Sequence, residues 1–93
     1  MDLPTDYTKL TPHFRKKVRN EYVELQGGKC YFCDHSLSEN PPQNIMEANI
    51  NMKLFPIGFL KYPVHLQHDH TTGMTEGAVH ARCNAVMWQY HGQ

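Results

Sequence analysis

Cys30 and Cys33 are separated by two residues, and His80 and Cys83 repeat that spacing further along the chain. Two such pairs supply four soft or borderline donors, the set that a tetrahedral zinc ion takes from thiolates and imidazoles. The chain has three cysteines, a number that any disulfide scheme leaves odd. With His80 as fourth ligand the count is explained. A single C-x-x-C is also the motif of thiol redox chemistry, but no βαβ pattern accompanies it here. Buried cysteine and histidine are common as core residues too, so the pairing of the two spacings carries the zinc reading. Between Cys33 and His80 lie 46 residues, so a metal held by both pairs would close most of the domain. Its loss is then expected to unfold the protein, because binding energy acts here as folding energy.

A second cluster lies next to the first. Four of the seven histidines fall between positions 65 and 80, and Asn84 follows the last cysteine at once. With His80 in the metal set, His65, His68, Asp69 and His70 remain. A lone histidine is more often structural than functional, but three with an aspartate in six residues point to chemistry. A neutral histidine can accept a proton from water near neutral pH. A divalent cation can offset charge on a phosphate and on its leaving oxygen, and oxygen donors suit Mg²⁺ or Mn²⁺. Asn84 carries such an oxygen. Together these are the groups that phosphodiester hydrolysis requires.

The elements that must position them can be read in outline. Residues 1–10 read as a flexible arm. Thr11 can cap a helix with Pro12 at its first position, and the helix is expected over 11–26. Phe14, Val18, Tyr22 and Leu25 would form its buried stripe. Arg15, Lys16, Lys17 and Arg19 crowd its first half, either as a solvated face or as a phosphate-contacting one. Residues 29–37 are a tight turn carrying the first knuckle. Residues 38–63 form an irregular insert broken by Pro56 and Pro63, expected to lay Leu54, Phe55, Phe59 and Leu60 on the core. "VHLQHDH" and "MTEGAV" then read as two strands of a hairpin around a "TTG" turn, and the chain ends in a helix closed by Gly92. Strand alternation puts His68 and His70 on one face with Leu66, and Gln67 with Asp69 on the other. The expected fold is a small single α+β domain over 1–93, with an N-terminal helix and a zinc knuckle.

The totals set limits. Ninety-three residues with 40% hydrophobic content make one domain with a core small enough to need a staple. Nine basic and nine acidic residues give a formal net charge of zero, so only a local basic patch could favour nucleic acid. No apolar segment follows Met1, and no run approaches the roughly eighteen apolar residues of a membrane span. The expected setting is therefore the cytoplasm, with reduced thiols and no membrane partner.

Residues 28–90 resemble the phage recombination endonuclease VII group within the HNH, or ββα-metal (His-Me finger), nucleases. The likeness is carried by His68-Asp69-His70, the Thr72-Gly73 turn, Gly77-Ala78-Val79, the His80/Cys83 knuckle with Asn84, and the upstream Cys30/Cys33 pair. The resemblance implies a DNA endonuclease with His68 as general base and Asn84 as a ligand of a catalytic Mg²⁺ or Mn²⁺. It also implies supporting roles for His70 and Asp69, which position the hairpin or the phosphate. Structural zinc would sit on Cys30, Cys33, His80 and Cys83. Arg15, Lys16, Arg19, Lys61 and Arg82 would contact DNA. Cutting both strands would call for a homodimer or successive events.

Three positions depart from the pattern. Gln67 stands where the family has an acidic metal ligand, although its carbonyl oxygen can still bind a hard cation. His80 replaces a cysteine, and Glu76 stands where members often carry arginine. Two other readings stay open: a zinc-stabilised binding module without catalysis, and a thiol enzyme using Cys30 and Cys33.

Overall fold

The computed structural model describes residues 2–92. Thr11 opens the first helix: its side-chain oxygen accepts a hydrogen bond from the Phe14 N–H at 3.3 Å. Helix α1 then runs Pro12–Leu25. Its buried face is shorter than the expected stripe. Val18 and Tyr22 are buried, whereas Phe14 is 43% and Leu25 70% exposed. The helix packs on a two-stranded ribbon. Strands about 4.8 Å apart cannot cover a helix about 21 Å long, so its two ends stay in solvent.

The ribbon pairs β1, Val64–His68, with β2, Thr75–His80, in antiparallel register from Val64↔His80 to Gln67↔Gly77. His68 then pairs with Thr75, which leaves Glu76 as a bulge on β2. Asp69 builds the turn. Its Oδ1 accepts from the N–H groups of Thr71 at 2.7 Å and Thr72 at 2.9 Å, and its carbonyl accepts from Gly73 at 2.8 Å. Strand β2 passes without a loop into a closing helix, Ala81–His91, which ends at left-handed Gly92. A short helix, α2 (Gln43–Met46), lies in the insert, so the closing helix is α3.

Residues 5–10 do not form a flexible arm. Asp6 and Met74 form a bridge, Tyr7 N–H donates to Gly73 O at 2.8 Å, and Thr75 N–H donates to Thr5 O at 2.8 Å. The buried Thr75 hydroxyl is the anchor, bonded to Thr5 N at 3.0 Å and to the Tyr22 hydroxyl at 2.9 Å. The segment thus adds to the end of the hairpin, and the edge groups of β2 explain why.

The insert also differs from expectation. Its buried anchor is Ile45, with Ala48 and Ile50 packed against the core. Leu54 is exposed, and Phe55, Phe59 and Leu60 are half-buried. The core joins Val18, Tyr22, Leu37, Ile45, Ala78, Val79, Val86 and Met87 with two of the cysteines, Cys30 and Cys83. Among the described residues no helix is long and apolar enough to cross a membrane.

The knuckle docks on the free edge of β2. Tyr31 N–H donates to Ala78 O at 2.9 Å, and the Gln26 side-chain amide both accepts from Ala78 N at 2.8 Å and donates to Ala78 O at 2.9 Å. Gln26 thereby replaces a strand residue. This close approach needs glycine at 77: a Cβ there would lie 2.8 Å from Gln26 Oε1 and 2.8 Å from Tyr31 Cγ. We expect Gly77→Ala to destabilise the fold by about 1–3 kcal/mol through overpacking, read as a lower denaturation midpoint. An unchanged midpoint would show that the knuckle can move away freely.

Candidate functional site

Cys30, Cys33, His80 and Cys83 bring one donor atom each to within 4.8 Å of one another. Tetrahedral zinc with bonds of about 2.0–2.3 Å requires donor separations of roughly 3.5–3.8 Å, so the four need only contract slightly. His80 Nδ1 lies 3.4 Å from Cys33 Sγ and 3.6 Å from Cys83 Sγ. Its other nitrogen, Nε2, lies 2.9 Å from the carbonyl oxygens of both Ser36 and Glu39. Nε2 must carry the proton to donate there, which leaves the Nδ1 lone pair for a metal. Around Cys30 Sγ the N–H groups of Phe32 (3.4 Å) and His80 (3.5 Å) point inward. The Cys30 thiol is pulled down to about 4, first by the Cys83 thiol hydrogen bond and then by backbone N–H groups, against burial. The same bond pushes Cys83 up. A thiolate at the centre of converging donors is the state a metal ligand needs. The cluster could therefore hold a structural metal such as zinc.

His65, His68 and His70 open onto a separate cavity of about 730 Å³. α1 contributes Arg15, Lys16 and Arg19, the insert contributes Leu54 to Phe59 and Tyr62, and β1 contributes Val64 to His68. His70, Asn84 and Trp88 complete the lining with Tyr7. Every lining side chain with a fixed charge is cationic, and no aspartate or glutamate lines the cavity.

Tyr7 places His68. The two rings stack at 4.0 Å between centroids, 8° from parallel, and the Arg15 guanidinium covers the Tyr7 ring at 4.2 Å. His70 lies 4.6 Å from His68, and Trp88 meets His70 edge-on at 6.2 Å. Neither ring nitrogen of His68 has a hydrogen-bond partner among the described residues. Burial holds its pKa below the ordinary value, helped by the charges of His70 and Arg15, with Asp69 opposing. His68 is therefore a neutral imidazole near pH 7 with its nitrogens free.

Asn84 is oriented by His65. The Asn84 amide nitrogen donates to His65 Nδ1 at 3.0 Å. Burial keeps His65 neutral and so able to accept; backbone hydrogen bonds at Phe59 and Tyr62 oppose this, and the Arg19 charge reinforces it. The Asn84 carbonyl oxygen has no partner among the described residues. Gln67 is 1% exposed, and its amide nitrogen donates to His68 O at 3.0 Å and to Glu76 Oε1 at 3.3 Å.

The structure thus brings together His68, His70, Asn84, Gln67, Arg15, Lys16 and Arg19. Three expected site residues lie outside the cavity lining. Asp69 holds the hairpin turn, one of the two supporting roles expected of it. Arg82 faces the insert, where its Nη2 donates to the carbonyls of Met46 at 3.0 Å and Ala48 at 3.1 Å, so it braces α2 and lies outside the cavity lining. Lys61 lies outside the cavity, 5.6 Å above the Tyr62 ring. Tyr7 has no role readable from the sequence, and His65 reads as part of the chemistry cluster but not as the partner of Asn84, since no local period links position 7 to 68 or 65 to 84. No family model, curated protein or solved structure matches the chain.

Removing a ligand should remove the fold. Structural zinc contributes about 10–16 kcal/mol in small domains, which equals or exceeds a typical total stability of about 5–15 kcal/mol. Metal analysis and far-UV circular dichroism should find about one zinc per chain in the wild type, by the four-ligand count. Cys83→Ala should show no zinc and no folded signal. A folded, metal-free Cys83→Ala would contradict this. For Arg82→Ala we expect faster proteolytic cleavage within 43–63 with zinc content unchanged; cleavage at the wild-type rate would show that Arg82 does not brace the insert.

Proposed function

We propose that the protein is a metal-dependent endonuclease that hydrolyses phosphodiester bonds of DNA, with His68 as general base. One observation supports it most: a neutral, unpartnered His68 and an uncommitted Asn84 oxygen share a cavity whose fixed charges are all positive. Hydrolysis of a polyanion uses all three features. The resemblance of residues 28–90 to the endonuclease VII group supports the same reading, and the hairpin followed by a helix is compatible with a ββα-metal domain.

In this reading the phosphate enters between α1 and the insert, against Arg15, Lys16 and Arg19. His68 accepts the proton of a water that attacks phosphorus, and the bond to the leaving oxygen breaks. Stacking on Tyr7 holds the imidazole plane, so no reorganisation is needed as the proton moves. His65 fixes the Asn84 amide with its oxygen outward. That oxygen and the Gln67 carbonyl are the groups that would hold Mg²⁺ or Mn²⁺, with phosphate and water completing the shell. Such an ion would offset charge on the phosphate and leaving oxygen. With two neutral amide ligands, metal affinity depends on the bound phosphate.

A second reading has its own support. The lack of any carboxylate in the cavity lining fits a zinc-stabilised module that binds nucleic acid without cutting it.

Plasmid nicking in Mg²⁺ or Mn²⁺ against EDTA separates the two. We expect cleavage by the wild type and a loss of at least about a hundredfold in His68→Ala, the lower range for a general base, with zinc and fold retained. Folded, zinc-loaded wild type that cuts no DNA in any metal would leave the binding module. The pH profile gives an independent check. The base must be neutral, and its pKa lies below the ordinary 6.5. The rate should therefore fall only below pH 6.5 and be flat above it; a rate that still climbs above about pH 7 would place the proton acceptor elsewhere.

A further inference from the structure

The insert carries an apolar side chain in full solvent. Ile57 is 107% exposed, at the tip of the turn Pro56-Ile57-Gly58-Phe59. The turn is built rather than loose. Phe59 N–H donates to Pro56 O at 3.1 Å, Lys61 N–H donates to Gly58 O at 2.9 Å, and Gly58 takes the left-handed φ of +79° that favours glycine. Behind it the Phe55 and Phe59 rings lie 4.7 Å apart, tilted by 32°. Phe55 meets Trp88 edge-on at 5.9 Å, and Phe59 meets His65 edge-on at 4.7 Å. Ile57 is therefore held out on a braced aromatic base. Burial within the chain does not explain its place.

Its surroundings indicate the occupant. The tip forms one wall of the histidine cavity, and Arg15, Lys16 and Arg19 come from α1. No carboxylate lies between them. Cations that neutralise phosphates and a rigid apolar projection are the two parts that kinking proteins bring to a duplex. The cations hold the backbone while the wedge enters between bases and unstacks them.

We propose that Ile57, backed by Pro56, inserts between stacked bases of a DNA duplex whose backbone lies along α1, and so unstacks the step next to the phosphate presented to His68. This rests on the reading of the cavity as a DNA phosphodiester site. It adds a specificity: steps that unstack easily, such as pyrimidine–purine steps, are the preferred substrates.

A short duplex with 2-aminopurine at a pyrimidine–purine step, without added Mg²⁺, reports both binding and unstacking. Wild type should raise anisotropy and increase 2-aminopurine fluorescence severalfold. Ile57→Ser should bind with less than about a tenfold loss, since the phosphate contacts that dominate affinity remain, and lose the fluorescence gain. Ile57→Leu should keep it. Circular dichroism of these surface variants should match wild type. Binding without unstacking, or unstacking equal in Ile57→Ser, overturns the wedge and leaves the DNA reading standing. No binding of any DNA overturns both. A change in oligomeric state on Ile57→Ser would make the tip a contact between protein copies and would also overturn the proposal.

Discussion

His80 is the point on which the structure depends. It is the last residue of β2 and stands immediately before the first residue of α3. Its Nδ1 faces the sulfurs of Cys33 and Cys83, while its Nε2 is tied to carbonyls of the segment after the first knuckle. One ring thus fixes the strand-to-helix corner, the knuckle and the start of the insert. A core of this size leaves little reserve to hold them otherwise. Because Cys30 and Cys83 are also core residues, the metal cluster and the hydrophobic core are one object. Asn84 lies four residues past that corner, in α3.

The cavity is arranged by side chains that are themselves restrained. Tyr7 stacks on His68, His65 bonds Asn84, and the arm that carries Tyr7 is pinned at Thr75. Gly73 belongs to this restraint, since a Cβ there would lie 3.1 Å from the Asp6 carboxylate, which caps the turn carrying Tyr7. Gln67 and Glu76 also explain each other. The Gln67 amide donates to the Glu76 carboxylate in a nearly closed site. An acid at 67 would set a buried charge beside the partly buried carboxylate of Glu76, which is costly without a partner. Two separate departures from the nuclease pattern are thus one matched pair. The positive charge of the cavity comes from α1 instead of from β2.

The parts legible in the sequence were those with a local signal. The helix start at Thr11-Pro12, the hairpin, the helix end at Gly92 and the grouping of the four candidate metal ligands all follow from spacing or capping, whereas Asp69, which reads as strand, builds the turn. The rest depended on contacts between distant residues. The arm's docking depends on the unpaired edge of β2 meeting Thr5 and Asp6, which no periodicity encodes. Arg82 reads as a free cation between two ligands, but the carbonyls it serves are more than thirty residues away. Phe14 and Leu25 fit a helical stripe, yet the surface opposite is only two strands wide. The insert was the least readable stretch because its chain is held by contacts to α3, such as Gln89 to Asn49 and Tyr90 to Asn49.

The central claim is that one metal closes the fold through Cys30, Cys33, His80 and Cys83, apart from the cavity of His68 and Asn84. Zinc-edge X-ray absorption on the wild type and on His68→Ala and Asn84→Ala tests it most directly. The account requires three sulfur scatterers at about 2.3 Å and one imidazole nitrogen at about 2.0 Å, with the same spectrum in all three proteins. A sulfur-poor shell, or a spectrum altered by either variant, would contradict it.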